Sequence, residues 1–127
     1  MVNENTGFNT YKSLPYKADL DTCDYVVAGI GFDSATSGQP GTRFAPDALR
    51  TCYWKSMGYN QNLEVETAAA NGTDYGNIEV KHGYILPTFH MITAAMKDFL
   101  KQGVVTVILG GDHSITLPER RTMKEFY

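Results

Sequence analysis

The sequence predicts an α/β fold in which helices cover a parallel sheet. Residues 25–30 and 104–109 are short, uncharged apolar runs, which are typical of strands buried on both faces. Between positions 85 and 100, apolar residues recur at intervals of three and four, which is the period of an amphipathic helix. Because strand and helix alternate along the chain, we expect the sheet to be parallel.

The chain has 127 residues, which allows one domain at most. Residues 1–23 are polar and irregular, and we expect them to form an N-terminal arm laid over the domain surface. Residues 24–127 are expected to form the N-terminal part of a single α/β domain.

A loop and a short helix are expected after the first strand. Residues 31–41 are dense in Gly, Ser, Thr and Asp, which indicates a loop. Pro46 suits the first position of a helix, and Asp47 suits its positive end, so we expect a helix over about 46–54.

The next segment is rich in turn residues and gives weak signals. Residues 63–65 and 78–80 are candidate strands, the second of them at a sheet edge. Residues 74–77 are expected to form a turn, and so is the Asn-Gly-Thr sequence at 71–73.

The last third of the chain gives the clearest pattern. Apolar side chains of the amphipathic segment fall on one helical face: Ile85, Phe89, Ile92, Met96, Phe99 and Leu100. Gly103 is expected to end this helix. The strand at 104–109 has no Lys, Pro or bulge residue of the kind that protects an edge, so we expect it in the middle of a sheet with a neighbour on each side. A further helix is expected from about 117 to 127, and the sheet is expected to be incomplete.

Composition excludes several classes of protein. Hydrophobic residues make up 43% of the chain, too many for a disordered protein. The net charge of −3 is spread without basic clusters, so neither nucleic acid nor an anionic membrane is an expected partner. Without an apolar leader or spanning segment, the expected location is the cytoplasm, where Cys23 and Cys52 would be reduced, small buried side chains.

Polar residues that follow the two best strands are the candidate site. Asp33 follows the first strand, and Asp112 and His113 follow the strand at 104–109. Loops at the carboxyl ends of parallel strands converge, so these side chains are plausible ligands for a divalent metal. Gly110 and Gly111 would let the backbone turn sharply there. The alternative is that His113 only satisfies the loop backbone by hydrogen bonding.

Other chemistries lack their motifs. Ser34 stands where a dinucleotide fingerprint needs its third glycine, and there is no phosphate-binding Gly-Lys-Ser/Thr loop, nucleophile elbow or Cys-x-x-Cys pair. His82 and His90 are expected to be structural or solvated. For Arg43 and Arg50, a salt bridge to a nearby carboxylate is the default expectation.

Two motifs resemble a known family. Residues 25–46, from Tyr-Val-Val-Ala-Gly-Ile through Ser-Gly-Gln-Pro-Gly-Thr-Arg-Phe-Ala-Pro, are similar to the N-terminal signature of the ureohydrolases, the arginase/agmatinase superfamily. Gly31 stands where the family usually has Pro, and Ala45 where it usually has Gly. Residues 107–116 contain Gly-Gly-Asp-His-Ser, which resembles the family's first metal-ligand motif. The loop at 37–43 looks most like that of agmatinases, and the resemblance covers the N-terminal portion of the family only.

The resemblance implies a three-layer α/β/α fold and a site with two Mn²⁺ ions. The metal-bound hydroxide would attack the carbon of a small cationic guanidino substrate such as agmatine, giving urea and an amine. His113 would be a metal ligand, supported by Gly110, Gly111, Asp112 and Ser114. A homo-oligomer and a role in polyamine metabolism are also expected from the resemblance.

The resemblance also implies what this chain lacks. Asp33 and Arg43 would lie at the mouth of the site or at a subunit interface, and no catalytic residue is assigned in the chain. The family's Asp-x-His-x-Asp and later Asp-x-Asp ligand motifs do not occur at matching places, so we expect a truncated ureohydrolase that is inactive alone. Two alternatives stay open: a non-catalytic binding or regulatory subunit completed by oligomerisation, and a small metalloprotein that uses Asp33, Asp112 and His113.

Overall fold

A parallel sheet of three strands forms the centre of the structure, a computed structural model that describes residues 9–17, 19–52, 59–66 and 69–127. The strands in chain order are β1 (Tyr25–Gly29), β2 (Tyr59–Asn60), β3 (Val65–Glu66), β4 (Gly72–Asn77) and β5 (Val105–Leu109). The α-helices are α1 (Ala45–Cys52), α2 (Ile85–Lys101) and α3 (Thr116–Phe126). The sheet order is β4-β1-β5, and β2 and β3 form a separate antiparallel pair.

Strand β1 lies in the middle of the sheet and sets its register. Along its whole length it pairs with β5, from Tyr25 opposite Val105 to Gly29 opposite Leu109. On its other side it pairs with β4, with a register shift between Val27 and Ala28. All these pairings are parallel, as the alternation of strand and helix predicts.

Helices cover both faces of the sheet. On one face α2 packs its apolar stripe against β1, and α3 packs against α2. The buried side chains of this core are Val26, Ala28, Ile30, Phe32, Ile78, Ile92, Met96, Phe99, Val104 and Ile115. On the opposite face α1 approaches so closely that a Cβ on Gly29 would lie 2.8 Å from the Cβ of Pro46. The α/β class and its helix–sheet–helix layering are therefore confirmed.

The predicted helices α1 and α2 are both present, and their ends differ from the predicted ones by a few residues. The α2 helix begins at Ile85, and Gly103 follows it with φ +72°, a left-handed conformation that stops a helix. The α1 helix begins one residue before Pro46, and predicted helical residues 53 and 54 lie outside the described residues.

The turn-rich segment was predicted wrongly. Residues 72–77 form strand β4, although 71–73 and 74–77 were expected to be turns, and residues 78–80 form no strand. Glycine makes this strand fit: a Cβ on Gly72 would overlap the ring of Tyr25, and Gly76 has φ +86°. In the 63–65 candidate only Val65 is in a strand, because Glu64 lies in a turn with φ +52°.

The N-terminal arm covers the outer edge of β4. The amide of Asp74 donates to the carbonyl of Pro15 at 2.9 Å, and the amide of Lys17 donates to the carbonyl of Asp74 at 2.9 Å. The hydroxyl of Thr73 also donates to the Pro15 carbonyl, at 2.9 Å. These bonds satisfy backbone groups that an uncovered edge would expose.

Strand β5 does not have the expected neighbour on each side. Among the described residues it pairs with β1 alone, so it forms the other edge of the sheet. Its side chains Val105 and Val107 are 65% and 38% exposed. The sequence correctly predicted an apolar strand, but within these residues β1 occupies the central position.

The structure also tests what was expected of the two cysteines and of membrane-spanning segments. Cys23 and Cys52 are free thiols, as expected, but Cys52 is exposed rather than buried and Cys23 is only half-buried. No helix in the described part of the chain has the length and apolarity needed to cross a membrane.

Candidate metal-site edge

The loops that follow β1 and β5 are joined through their backbones. The amide of Ile30 donates to the carbonyl of Leu109 at 2.8 Å, and the amide of Asp112 donates to the carbonyl of Phe32 at 2.7 Å. Gly111 makes this approach possible, because a Cβ there would overlap the carbonyl oxygen of Phe32. The two loops are therefore hydrogen-bonded to each other at the carboxyl end of the sheet.

Asp112 connects this edge to the neighbouring segments. Its Oδ2 accepts a hydrogen bond from the amide of Ala35 at 2.8 Å. Its Oδ1 accepts from the amide of Ser114 at 2.9 Å and from the Ser114 hydroxyl at 2.5 Å. Asp112 is 7% exposed, so these bonds are what keep a buried carboxylate satisfied. It also caps the single 3-10 turn, His113–Ile115, that leads into α3.

His113 lies at the start of that turn with its side chain exposed. Asp112, which precedes it, and Ile115, two residues after it, are both buried, so the turn is anchored on either side of the imidazole. The ring is not packed in the apolar core, and it makes no side-chain hydrogen bond with the described residues. The alternative in which His113 satisfies the loop backbone is therefore not what the structure shows.

Asp33 and Arg43 form an ion pair inside the loop between β1 and α1. The Arg43 Nε donates to Asp33 Oδ2 at 2.8 Å, and the amide of Gly41 donates to the same oxygen at 2.9 Å. Asp33 is 2% exposed. Burial favours its neutral form, but these donors outweigh burial and hold the pKa of Asp33 below its ordinary value. The Oδ2 of Asp33 thus binds its own loop, as the default for Arg43 predicted, while its Oδ1 is buried without a hydrogen-bond partner among the described residues.

A second hydrogen bond fixes the same loop from the side of α2. The amide of Gly83, in the turn before α2, donates to the Ser34 hydroxyl at 2.8 Å. Next to it, the amide of Ala35 binds Asp112. Neither Ser34 nor Ala35 was singled out in the sequence for this role, because one acts through a lone hydroxyl and the other through its backbone.

A buried ion pair lies between α1 and β4. Arg50 donates to both oxygens of Asp74, from Nε at 2.8 Å and from Nη2 at 2.9 Å, and its Nη1 donates to Asn77 Oδ1 at 2.6 Å. Burial would raise the pKa of Asp74, but Arg50 and the amides of Tyr11 and Gly76 lower it. The expected salt bridge of Arg50 is confirmed. Its partner Asp74 was not predicted, because residues 74–77 were expected to form a turn.

The described residues do not form a complete metal site. Among them, no group of three His, Cys, Asp or Glu side chains is placed to hold a metal ion. Asp33 is turned to Arg43 and both oxygens of Asp112 accept amide protons, so the three-ligand site from Asp33, Asp112 and His113 is wrong. His82 and His90 are exposed and belong to no such group. Two metal ions need more ligands than one imidazole.

The comparisons with known proteins agree with the fold. A sequence model of the Arginase family matches residues 23–127. This chain therefore belongs to the arginase family, the class of ureohydrolases.

Named relatives within the family include agmatinases. The guanidinobutyrase of Pseudomonas aeruginosa is 32% identical over 127 residues, which cover 94% of this chain and 39% of the relative. The agmatinase of Blochmanniella floridana is 30% identical over 108 residues, which cover 82% of this chain and 35% of the relative. A hypothetical agmatinase from Burkholderia thailandensis has a solved structure that matches with a TM-score of 0.87 and 26% identity, over 94% of this chain and 39% of that one. The chain spans less than two fifths of the length of each of these relatives.

Proposed function

We propose that this chain is the part of an agmatinase-like ureohydrolase that supplies the first metal-binding imidazole. The reaction is hydrolysis of a linear guanidino compound, with agmatine the substrate we favour, to urea and an amine. Membership of the arginase family and the names of the agmatinase and guanidinobutyrase relatives support this class of reaction. Two Mn²⁺ ions, a cytoplasmic location and assembly into a homo-oligomer are part of the same proposal.

One observation carries the proposal: His113 is exposed at the carboxyl edge of the sheet while its neighbours are anchored. Asp112 binds the Ala35 amide on one side and the Ser114 amide on the other, so the turn that presents the imidazole has little freedom. An imidazole held by its surroundings binds a metal better than a mobile one, since less ordering is needed on binding. We assign Asp112, with Gly110, Gly111 and Ser114, to this supporting role.

The loop around Asp33 and Arg43 is assigned to the mouth of the site. It follows β1, the strand next to β5, and the Ala35 amide ties it to the His113 turn. The Arg43 side chain remains 38% exposed although its Nε is paired, so part of the guanidinium group still faces solvent.

The 127-residue chain is proposed to be inactive alone. The described residues offer one exposed imidazole at this edge and no cluster of three ligands. Bringing two divalent cations together against their repulsion needs several anionic ligands. The remaining ligands are therefore expected from polypeptide outside these residues.

The test is a chimera in which this chain replaces the matched segment of the Blochmanniella floridana agmatinase. With Mn²⁺ the chimera should release urea from agmatine, and the His113→Ala chimera should lose at least about 10²-fold in rate, as expected for loss of a ligand. His90→Ala is the matched control, because His90 is also exposed but lies on α2, away from this edge. The chain alone should release no urea above a protein-free blank.

Two results would contradict the proposal. A chimera that is folded by circular dichroism and holds Mn²⁺ but releases no urea would exclude the reaction. Equal activity of the His113→Ala and His90→Ala chimeras would exclude His113 as a ligand.

A further inference from the structure

Helix α3 depends on its packing more than α2 does. It has 11 residues, a length at which an isolated helix is marginal in water. Of these residues Pro118 and Thr122 are buried, whereas α2 buries five of its 17 residues. A helix with few buried contacts belongs to the part of a structure that opens most easily.

The same helix supports the turn that carries His113. The α3 helix begins at Thr116, directly after that 3-10 turn, and the amide of Thr116 donates to the carbonyls of His113 and Ser114. Ile115, the last residue of the turn, is 6% exposed and belongs to the apolar core. An opening of α3 would therefore remove the support on the C-terminal side of the turn.

One acidic side chain of α3 has a buried oxygen without a partner. Glu119 lies in the first turn of the helix, and its Oε1 makes no hydrogen bond with the described residues. Burying an ionised carboxylate without a donor is costly, whereas burying the protonated acid costs much less. Burial is also the cause that raises the pKa of Glu119 from 4.5 to about 7.

The charged side chains of the elements packed against α3 do not compensate Glu119. On α2, Lys97 binds Glu125 at 2.7 Å, and Lys101 lies 3.9 Å from Asp98. The other ionisable side chains of α2, of the 3-10 turn and of α3 itself are exposed: His90, His113, Arg120, Arg121 and Lys124. Within the described ranges, ionised Glu119 would therefore have no cation as a partner.

We propose that α3 holds the His113 turn firmly only while Glu119 is protonated. This inference names a means of regulating the proposed metal site, and for the role of His113 it rests on the proposed function. When Glu119 loses its proton, α3 opens from α2 more often, because the carboxylate is then solvated by water in the opened form. The imidazole loses its fixed position, so it binds a metal ion less well as the pH rises.

The direction and size of the effect follow from proton linkage. Glu119 has its ordinary pKa of 4.5 in an opened helix and about 7 in the packed helix, so the opened form releases its proton at lower pH. The fraction of chains with α3 open should be constant below pH 4.5 and level again above pH 7. Between these values it should rise about tenfold per pH unit.

Amide hydrogen exchange in the chain alone measures this opening. Rates are recorded between pH about 5.5 and 8 and are corrected for the intrinsic pH dependence of exchange. The amides of Thr122 and Ser114 should lose more than about tenfold in protection over this range. At each pH the amide of Met96 in α2 should stay at least about tenfold better protected than both, because α3 opens without α2.

Two variants separate Glu119 from the other titrating groups. Glu119→Gln is uncharged and close in shape to the protonated acid, so Thr122 and Ser114 should keep their low-pH protection throughout the range. Glu125→Gln, the matched control, removes an exposed carboxyl group of the same helix and its bond to Lys97, and should keep the pH dependence of the natural chain. His113 is present in all three chains, so its own titration cancels in the comparison.

Several results would overturn the proposal. One is protection of Thr122 that does not change with pH, and another is a pH dependence that Glu119→Gln retains. Equal protection of Thr122 and Met96 would mean that the whole chain opens at once. A Ser114 amide that does not follow Thr122 would show that α3 does not hold the turn.

The remaining outcomes are also decisive. A Glu119→Gln chain that fails to fold would overturn the proposal, because the protonated acid and the amide should fit the same place. No metal or substrate is present in these measurements. A proton-dependent α3 in a chimera that releases no urea would therefore contradict the proposed function and not the behaviour of the helix.

Discussion

Replacing Asp112 tests whether the loops at the carboxyl edge are held by its carboxylate. Asp112→Ala removes the cap on the Ser114 amide, worth about 0.5–2 kcal/mol, and a charge-assisted bond from the Ala35 amide, worth about 1.5–3 kcal/mol. The expected loss of unfolding free energy is therefore about 2–5 kcal/mol, a large share of the roughly 5–15 kcal/mol available to a domain. In urea denaturation followed by circular dichroism, the midpoint should fall by on the order of 1–2 M.

The isosteric variant separates hydrogen bonding from packing. Asp112→Asn keeps the volume but turns one acceptor into a donor, which then faces an amide N–H of Ala35 or Ser114. This variant should also be destabilised by more than about 1 kcal/mol, and the Ala35 amide should exchange faster. Ser114→Ala, which loses only the hydroxyl bond, should cost about 1 kcal/mol or less. If Asp112→Asn is as stable as the natural chain, the carboxylate does not hold these loops.

Three further predictions concern the ion pairs, a half-buried acid and a close backbone approach. Arg50→Met should lower the free energy of unfolding by about 3–5 kcal/mol, because it leaves the buried carboxylate of Asp74 without its cation. Arg43→Met should lower it by less, because Arg43 is partly exposed. Urea denaturation of both variants measures the difference. Burial raises the pKa of Glu119 from 4.5 to about 7, so between these pH values the folded state holds a proton that the unfolded chain releases. The free energy of unfolding therefore falls as the pH rises from 4.5 to 7. In thermal melts, Glu119→Gln should stabilise the chain by about 1–3 kcal/mol at pH near 8 and by little at pH near 4. Gly111→Ala should cost about 1–3 kcal/mol in the same denaturation assay, because its Cβ meets backbone, whereas Gly38→Ala, which has open space, should be close to neutral.

The elements that could be predicted from sequence are those whose local pattern of apolar residues is strong. The α2 helix was predicted because Ile92, Met96 and Phe99 keep the helical period, and all three are buried against β1. The β5 strand was predicted because it is β-branched and uncharged. These patterns depend on local sequence alone.

Strand β4 was missed because its stability comes from contacts that local sequence does not show. Its sequence, Gly-Thr-Asp-Tyr-Gly-Asn, has the composition of a turn. The strand forms because Arg50 neutralises the buried Asp74 and because Gly72 leaves room for the ring of Tyr25. Only the fold brings a residue of α1 and a residue of β1 to this strand, so no window of sequence around β4 contains the signal.

The candidate site was predicted only in part, because some of its contacts also depend on residues that only the fold brings together. The glycine pair and the acid that follow β5 identified Asp112 and His113 as the residues at the strand end. The role of Asp112 depends on the backbone amide of Ala35, and any residue at position 35 other than proline carries such an amide. The burial of Asp33 with Arg43 likewise depends on how the loop folds, and it turns the Oδ2 of Asp33 towards Arg43.

Asp112 and His113, adjacent at the end of β5, differ in burial and in hydrogen bonding. Asp112 is buried and bonded three times within the chain, so its contribution needs no other polypeptide. His113, by contrast, is exposed. Under the proposed function His113 would be one metal ligand, and because one imidazole holds a divalent metal weakly, the other ligands would have to come from polypeptide outside these residues.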